Sequence, residues 1–125
     1  MSQLLFKELS YQIIGAAYTV HSVLGPGLLE VLYKRAMCIE LRKRNINYAC
    51  EAPFDVPYDT EIIGAYKADL LVEGKIIVEI KSVKSLSEFM EAKLINYLGI
   101  AKLQVGYLIN FNSITLVWKR FYRRL

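Results

Sequence analysis

The stretch YKADLLVEGKIIVEIK, residues Tyr66–Lys81, reads as two apolar strands joined at Gly74. The β-branched run in its second half is typical of a strand that is covered on both faces. Asp69, Glu79 and Lys81 place three charges within these strands. Because burying a carboxylate without a partner is costly, the pattern predicts either a bound cation or an ion pair at this point.

The length of the loop at Gly74 decides how the two acids are related. A two-residue loop would turn Asp69 and Glu79 toward opposite faces of the sheet, whereas a three-residue loop over residues 73–75 would pair them on one face. A glycine in the left-handed conformation favours the longer loop. A metal site that uses both acids therefore requires the three-residue loop, or a bulge of equal effect, and acids on opposite faces would exclude it.

Length and composition indicate one domain, residues 1–125, with one core. With 54% hydrophobic residues the chain is not of the disordered class. No apolar run approaches the ~20 residues that span a bilayer, and the start lacks the features of a secretory signal, so we expect no membrane partner. Cys38 and Cys50 lack metal-ligand spacing, and we interpret them as reduced core residues of a cytoplasmic protein.

The net charge of +4, from 16 basic and 12 acidic residues, is unevenly distributed. Two basic groups flank an acidic segment, and they consist of Lys34, Arg35, Arg42, Lys43 and Arg44, and of Lys119, Arg120, Arg123 and Arg124. Such basic groups are compatible with a polyanion partner. Charge alone favours the alternative, which is a solvated surface that keeps the protein soluble.

The order of the remaining elements predicts the class of fold. Helical periodicity indicates a first helix over residues 4–23, ended by Gly25 and Pro26, and a second over residues 27–44. A third helix is predicted from a capping serine, Ser85 or Ser87, to about residue 100. Strand-like runs lie at residues 48–52, 54–58, 62–72, 76–81, 105–111 and 114–122. We expect an α/β fold in which a mixed central β-sheet is flanked by helices.

Side-chain spacing assigns faces to the second helix. The predicted buried face is an apolar stripe of Leu28, Leu32, Ala36 and Ile39. A different face carries Glu30, Tyr33, Lys34 and Met37. Taken alone, Glu30 is explained by the helix dipole and by an i,i+4 ion pair with Lys34. His21, the only histidine, is interpreted as a packed or dipole-compensating side chain rather than a catalytic one.

The three charges of the opening stretch are suited to phosphate chemistry. Two carboxylates can hold a hard cation through oxygen ligands, with positions left for water and a phosphate oxygen. A nearby lysine such as Lys81 can orient that water or stabilise developing negative charge. Spacing alone is weak support, because Glu-x-Lys is common in strands, and an ion pair between Lys81 and one acid is the alternative.

Asp69 followed by Glu79-Ile80-Lys81 resembles the active-site signature of the PD-(D/E)XK nuclease superfamily, with Ala68 in place of the proline. More narrowly, the chain resembles the GxxExxY proteins, which are small bacterial and archaeal members. Their naming motif is similar to GLLEVLY at 27–33, and further matches lie at 21–26, 66–72, 78–81 and 94–98. The resemblance runs from about Leu9 to Arg120 and implies a restriction-endonuclease-like core.

The resemblance also implies an activity and residue roles. The protein would be a nuclease that hydrolyses phosphodiester bonds of DNA or RNA with Mg²⁺ or Mn²⁺, and nucleases of this size often act as homodimers. Asp69 and Glu79 would be direct metal ligands. The main-chain carbonyl of Ile80 and the helix acid Glu30 would complete the metal site. Lys81 would be the catalytic lysine.

One position departs from the family pattern. Glu91-Ala92 is followed by Lys93, where the resemblance leads us to expect a glutamine near the site. Lys93 would contact a substrate phosphate, or it would pair with a site carboxylate and weaken metal binding. Tyr33 is a second candidate for substrate contact, although packing that supports the site is its preferred role.

The alternative function is a non-catalytic module that binds nucleic acid or a protein partner and retains a vestigial metal site. Lys93 and the small size motivate it, because one short domain offers little surface for sequence-specific recognition. Phosphate contacts from Arg42, Lys43, Arg44 and the C-terminal basic residues would then give salt-sensitive binding. A purely structural ion-pair core is the third interpretation, and it predicts affinity for neither metal nor polyanion.

Overall fold

The computed structural model describes residues 5–125, so the predicted first residue of the first helix, Leu4, lies outside the described part. Three helices and five strands follow one another along residues 5–125. They are α1 (Lys7–Leu24), α2 (Glu30–Lys43), β1 (Tyr48–Tyr58), β2 (Glu61–Val72), β3 (Ile76–Lys81), α3 (Glu88–Ala101), β4 (Val105–Asn110) and β5 (Val117–Tyr122).

The five strands form one mixed sheet in the order β1-β2-β3-β4-β5. Only β3 and β4 pair in parallel, and the other neighbours are antiparallel. A parallel pair needs a long crossover connection, which α3 supplies. The predicted α/β fold with a mixed central sheet flanked by helices is therefore confirmed.

Helices cover the central strand β3 on both faces. Ile76, Val78 and Ile80 pack in the core under α1 and α2, whereas Ile77 packs in the core under α3. All four side chains are buried. This two-sided burial explains why β3 is a continuous apolar run apart from its charged end.

The β2–β3 hairpin has the three-residue loop that the metal-site hypothesis requires. Val72 pairs with Ile76, so residues 73–75 form the loop. Glu73 and Gly74 both have positive φ, at 53° and 66°. The loop length predicted from Gly74 is confirmed, and this register sets Asp69 opposite Glu79.

The face of α2 was predicted wrongly. The side chains that it buries are Tyr33, Met37, Cys38 and Leu41. Leu32 and Ile39 of the predicted stripe are 42% and 48% exposed. Tyr33, Met37 and Leu41 recur at i,i+4 spacing and form a row of larger side chains. The buried Tyr33 hydroxyl is satisfied by two hydrogen bonds. It donates to the Gly25 carbonyl (2.6 Å) and accepts from the Leu28 N–H (3.1 Å).

Smaller differences concern element ends and single residues. β1 is one continuous edge strand through both prolines, with a register shift between Val56 and Pro57. The α3 cap is Ser87, whose hydroxyl accepts from the Met90 N–H. His21 packs as expected and hydrogen-bonds the Ser113 carbonyl (2.7 Å). Cys38 is buried, but Cys50 is exposed because it lies on the edge strand β1, so the core assignment was wrong for Cys50.

Candidate active site

Along β2 the side chains point alternately to the two faces of the sheet, and this alternation is interrupted at Asp69. Ala68 packs in the core under α3, whereas Leu70, two residues later, packs in the core under α1 and α2. An unbroken strand would place both side chains on one face. The β1–β2 pairing omits Asp69 and its neighbour Glu51, which has a positive φ of 51°. The sheet is therefore irregular at Asp69, the first of the three charges named in the opening stretch.

The carboxylates of Asp69 and Glu79 take over hydrogen bonds at this irregular point. The regular β2–β3 ladder ends at Leu70 and Val78. Beyond it, the Asp69 N–H donates to Glu79 Oε2 (3.3 Å), and the Ile80 N–H donates to Asp69 Oδ2 (2.8 Å). Each acid thus contacts the backbone of the opposite strand, and the structure brings the two acids together.

The two acids nevertheless border different cavities. The first, which we call the α2 cavity, has a volume of about 200 Å³ and is lined by Glu30, Val31, Lys34, Asp69 and Ile80. The second, the α3 cavity, has a volume of about 400 Å³ and lies between the sheet and α3. Its polar and aromatic lining includes Tyr66, Lys67, Glu79, Lys81, Phe89, Lys93 and Tyr97. The register requirement is met, but the acids border cavities on opposite sides of the sheet, so the condition of one shared open face is not met. One cation could contact both carboxylates only at the gap between β2 and β3, where the regular ladder has ended and each carboxylate is bonded to the opposite strand.

In the α2 cavity a lysine compensates the acid. Lys34 Nζ lies 3.1 Å from Glu51 Oε2 and 3.9 Å from Asp69 Oδ1. Glu30 Oε2 instead accepts from the Ser82 N–H (3.2 Å). Within residues 5–125 there is no ion pair between Glu30 and Lys34, so the predicted i,i+4 pair is not formed.

In the α3 cavity aromatic side chains surround the acid. The Tyr66 hydroxyl donates to Glu79 Oε2. The Tyr66 ring stacks on Tyr97, with centroids 3.5 Å apart. Lys93 Nζ lies 5.9 Å from the ring centroids of both Phe89 and Tyr97. Lys93 also lines this cavity, and its role as a substrate contact stays a prediction.

Burial favours the protonated form of both acids. Burial and, second, the nearby charge of Asp69 together raise the pKa of Glu79 from 4.5 to about 7, against the hydrogen bond from Tyr66. Burial also raises the pKa of Asp69, while the Ile80 N–H and the Lys34 charge lower it. Two neighbouring carboxylates whose charge is incompletely compensated are suited to a divalent cation.

The structure does not gather the whole predicted ligand set. Across residues 5–125 no three His, Cys, Asp or Glu side chains converge closely enough to hold a metal ion. Glu30 shares the α2 cavity with Asp69 and Ile80, but Glu79 lies in the other cavity. The donor set that fits a hard cation is thus the pair of acids, with Glu30 nearby.

Tyr33 is inaccessible to a substrate bound in either cavity. Its side chain is fully buried and stacks on Phe111, with centroids 4.6 Å apart. Neither cavity includes Tyr33 in its lining. The assignment of Tyr33 as a substrate contact was wrong because the residue lies on the buried face of α2, and the packing role is the one that the structure supports.

Sequence reasoning missed three residues around the site. Lys34 compensates Asp69, and Tyr66 binds Glu79. Asn110, which is opposite Lys81 in the sheet and 1% exposed, hydrogen-bonds both the N–H and the carbonyl of Val83. Asn110 thereby fixes the chain just after Lys81. A polar residue at the end of an otherwise apolar strand was the available signal.

The C-terminal basic residues are largely engaged inside the molecule. Lys119 pairs with Glu91, Arg120 donates to the Leu5 carbonyl, and Arg123 donates to the Ile95 carbonyl. By contrast, three lysines of the α3 cavity, namely Lys67, Lys81 and Lys93, have no carboxylate within 4.0 Å in residues 5–125. The alternative ion pair of Lys81 is therefore not formed there, and the uncompensated positive charge lies at this cavity.

Comparison with known proteins agrees with the fold. The chain matches the family model of the PD-(D/E)XK nuclease superfamily over residues 7–121, and it belongs to that superfamily. The narrower assignment to the GxxExxY proteins stays a prediction. No curated protein sequence matches the chain significantly. None of the helices in residues 5–125 is long and apolar enough to cross a membrane.

Two solved structures are similar to the chain. The crystal structure of SSO0001 shares 18% sequence identity with a TM-score of 0.59, over 95% of this chain and 59% of that one. This chain thus spans about three fifths of the length of SSO0001, and the likeness concerns the fold. An alkaline exonuclease, LHK-Exo from Laribacter hongkongensis, shares 13% identity with a TM-score of 0.45, over 99% of this chain and 73% of that one.

Proposed function

We propose that the protein is a metal-dependent nuclease that hydrolyses phosphodiester bonds of nucleic acid, with Mg²⁺ or Mn²⁺ held by Asp69 and Glu79. The main support is the pair of hydrogen bonds from the Asp69 and Ile80 N–H groups, which holds both carboxylates at the gap between β2 and β3, although each borders its own cavity. The raised pKa of each acid is a second support, because burial disfavours the ionised carboxylates and a bound cation would stabilise them.

The neighbouring residues have roles in the same proposal. The Ile80 carbonyl and Glu30 would complete the metal shell, directly or through water. When bound, the cation would supply Lewis-acid activation of the phosphate. Lys81, which follows Ile80 and lines the α3 cavity, would stabilise developing negative charge on the substrate. A homodimer and a cytoplasmic location stay predictions from the sequence.

A non-catalytic nucleic-acid-binding module is the second candidate. The observation that favours it is the position of Lys34, whose ammonium lies 3.9 Å from Asp69 and partly takes the place of a cation. Lys93 adds positive charge to the other cavity without contributing a metal ligand. This candidate predicts affinity for nucleic acid without affinity for metal.

Metal titration separates the two candidates. Mg²⁺ and Mn²⁺ are titrated calorimetrically into the wild type and into an Asp69→Ala/Glu79→Ala variant, with and without a short oligonucleotide, because a substrate phosphate can complete the metal shell. We expect binding by the wild type alone and, in parallel assays, metal-dependent cleavage by the wild type alone.

A matched control removes two charges elsewhere. Asp55→Ala/Glu61→Ala lies on the exposed β1–β2 hairpin and should bind metal as the wild type does. Equal metal binding by the Asp69→Ala/Glu79→Ala variant would refute the assigned ligands. Absence of metal binding in all proteins, even with oligonucleotide, would favour the non-catalytic module.

A further inference from the structure

We infer that the α3 cavity binds an unpaired nucleotide, so that the preferred nucleic acid is a single strand or an unpaired strand end. The inference rests on the proposed function, because it names the class of substrate that the same site would take. It is carried by an exposed aromatic ring, two uncompensated lysines and the volume of the cavity.

Phe89 supplies an open stacking surface. It lies in the first turn of α3, lines the cavity and is 75% exposed. The Tyr97 ring is already stacked on Tyr66, so it is covered on one side. An exposed aromatic ring beside a basic groove is the arrangement with which proteins stack unpaired bases, without a requirement for a particular base.

Two lysines lie where the backbone of such a strand would pass. Lys67 on β2 and Lys93 on α3 both line the cavity, and both side chains are exposed. Neither has a carboxylate within 4.0 Å in residues 5–125. Lys93 also lies one helical turn from Phe89, so one helix face offers a ring for a base and a charge for a phosphate.

The size of the cavity favours a single nucleotide over a base pair. Its volume is about 400 Å³, which is near the lower end of the roughly 300–1,000 Å³ of small-ligand sites. In a duplex the faces of a base are covered by the neighbouring base pairs. A duplex would therefore have to release a base before that base could stack on Phe89, and unpairing has an unfavourable free energy.

Binding without cleavage tests this inference. Fluorescence anisotropy with EDTA and at fixed salt measures the affinity for a labelled oligothymidine and for a blunt hairpin duplex of equal length. We expect tighter binding of the single strand, and a loss of about 5- to 100-fold for that strand in Phe89→Ala. Phe89→Trp should restore single-strand binding, and Tyr11→Ala, which removes a 73% exposed ring from α1, should leave it unchanged.

Two results would overturn the inference. One is that the wild type binds the single strand and the blunt duplex equally tightly, and that Phe89→Ala loses affinity for both by the same factor. The other is unchanged single-strand binding in Phe89→Ala. Failure of the proposed function looks different, because Phe89-dependent binding without any Mg²⁺- or Mn²⁺-dependent cleavage would leave this inference standing and remove the nuclease proposal.

A second inference comes from the two cysteines. Cys38 on α2 and Cys50 on β1 are both free, and their Sγ atoms lie 3.0 Å apart. The two sulfur atoms are thus already in contact, so only a small approach separates them from an S–S bond. We infer that a peroxide converts this pair into a reversible disulfide that joins α2 to β1, next to the Lys34–Glu51 ion pair of the α2 cavity.

The oxidation is balanced between two thiols and one peroxide. The exposed Cys50 sulfur attacks a peroxide oxygen, which gives a sulfenic acid and water. The Cys38 sulfur then attacks the Cys50 sulfur, an S–S bond forms, and the hydroxyl leaves as a second water with the Cys38 proton. Burial raises the pKa of the Cys38 thiol to about 11, so Cys38 suits the second step rather than the first.

Intact-mass measurement tests the disulfide. After hydrogen peroxide treatment, the wild-type monomer should lose two hydrogens and regain them with dithiothreitol. Cys38→Ser should instead accumulate a sulfenic acid on Cys50, which a dimedone-type probe labels. A wild type that gains oxygen at Cys50 without losing two hydrogens, or that forms only intermolecular disulfides, would overturn this inference.

Discussion

The α2 cavity and the α3 cavity differ in how the negative charge of a partly buried acid is compensated. Each receives one acid from the β2–β3 pair, Asp69 in the first and Glu79 in the second. In the α2 cavity the counter-charge is the lysine Lys34. In the α3 cavity no lysine lies within 4.0 Å of Glu79 among residues 5–125, and burial instead retains a proton on the carboxyl up to about pH 7. Asp69 is thus compensated by the positive charge of Lys34. Glu79 is instead neutralised by its own proton, which it loses as the pH rises.

The largest expected effect concerns the lysines of the α3 cavity. Lys81→Met should lower the rate of metal-dependent cleavage at saturating substrate by about 100- to 1,000-fold, because a donor to developing negative charge is lost. Metal affinity measured by calorimetry should persist. Lys93→Met should mainly raise the KM, because Lys93 is expected to hold a phosphate in ground state and transition state alike. Equal losses of kcat in both variants would contradict the separation of roles.

The pH dependence of stability should distinguish the two cavities. Folded Glu79 holds its proton up to about pH 7, whereas the unfolded value is 4.5. Its contribution is therefore fully present below about pH 4.5 and is lost as the pH rises through 7. Without metal, the free energy of unfolding should fall by about 1–3 kcal/mol across this window. Urea denaturation at stepped pH measures the fall, and Glu79→Gln should remove most of it.

A control and a reversal accompany this pH measurement. Glu61→Gln, on the exposed hairpin, should keep the wild-type slope. With saturating Mn²⁺ the free energy of unfolding should instead rise with pH. The cation binds the ionised carboxylates, so its affinity for the folded protein increases as they lose their protons. Metal-free wild type that gains stability between pH 5 and 7 would contradict the assignment of Glu79 as the proton-compensated acid.

The smallest expected effect concerns the α2 cavity. Lys34→Met should strengthen metal binding by about 2- to 5-fold at low salt, because the partly exposed ion pair that competes with the cation is worth only about 0.2–1 kcal/mol. Calorimetric titration of Mn²⁺ measures the change. Lys43→Met on the same helix, which removes a more exposed lysine paired with Glu40, should have no such effect. Weaker metal binding in Lys34→Met would indicate that the lysine positions Asp69 instead of competing with the metal.

Local signals in the sequence were reliable where they concern backbone conformation. Gly25 ends α1 with a φ of 70°, and Gly74 gives the three-residue loop with a φ of 66°. Glycine accepts these angles without steric strain, so the signal needs no tertiary context. The order of helices and strands was correct for a similar reason, because it follows from periodicity along the chain.

Signals that depend on a distant partner were less reliable. The buried face of α2 was misassigned, because Leu32 and Ile39 are as apolar as the residues that the helix actually buries. Lys34 was assigned to Glu30 four residues away, although its partners in the structure come from β1 and β2. Tyr66 was quoted at the start of the decisive stretch, yet its bond to Glu79 depends on how β2 and β3 lie side by side.

The sequence by itself determined the element order, the hairpin register and the identity of the two acids, since these follow from local conformation and from residue type. Only the tertiary structure decided that Asp69 and Glu79 open into separate cavities. The reason is that β2 changes its face at Asp69, while α2 and α3 cover opposite faces of the sheet. Burial and counter-charge therefore reach each acid from elements that are distant in the chain, and no local pattern encodes them.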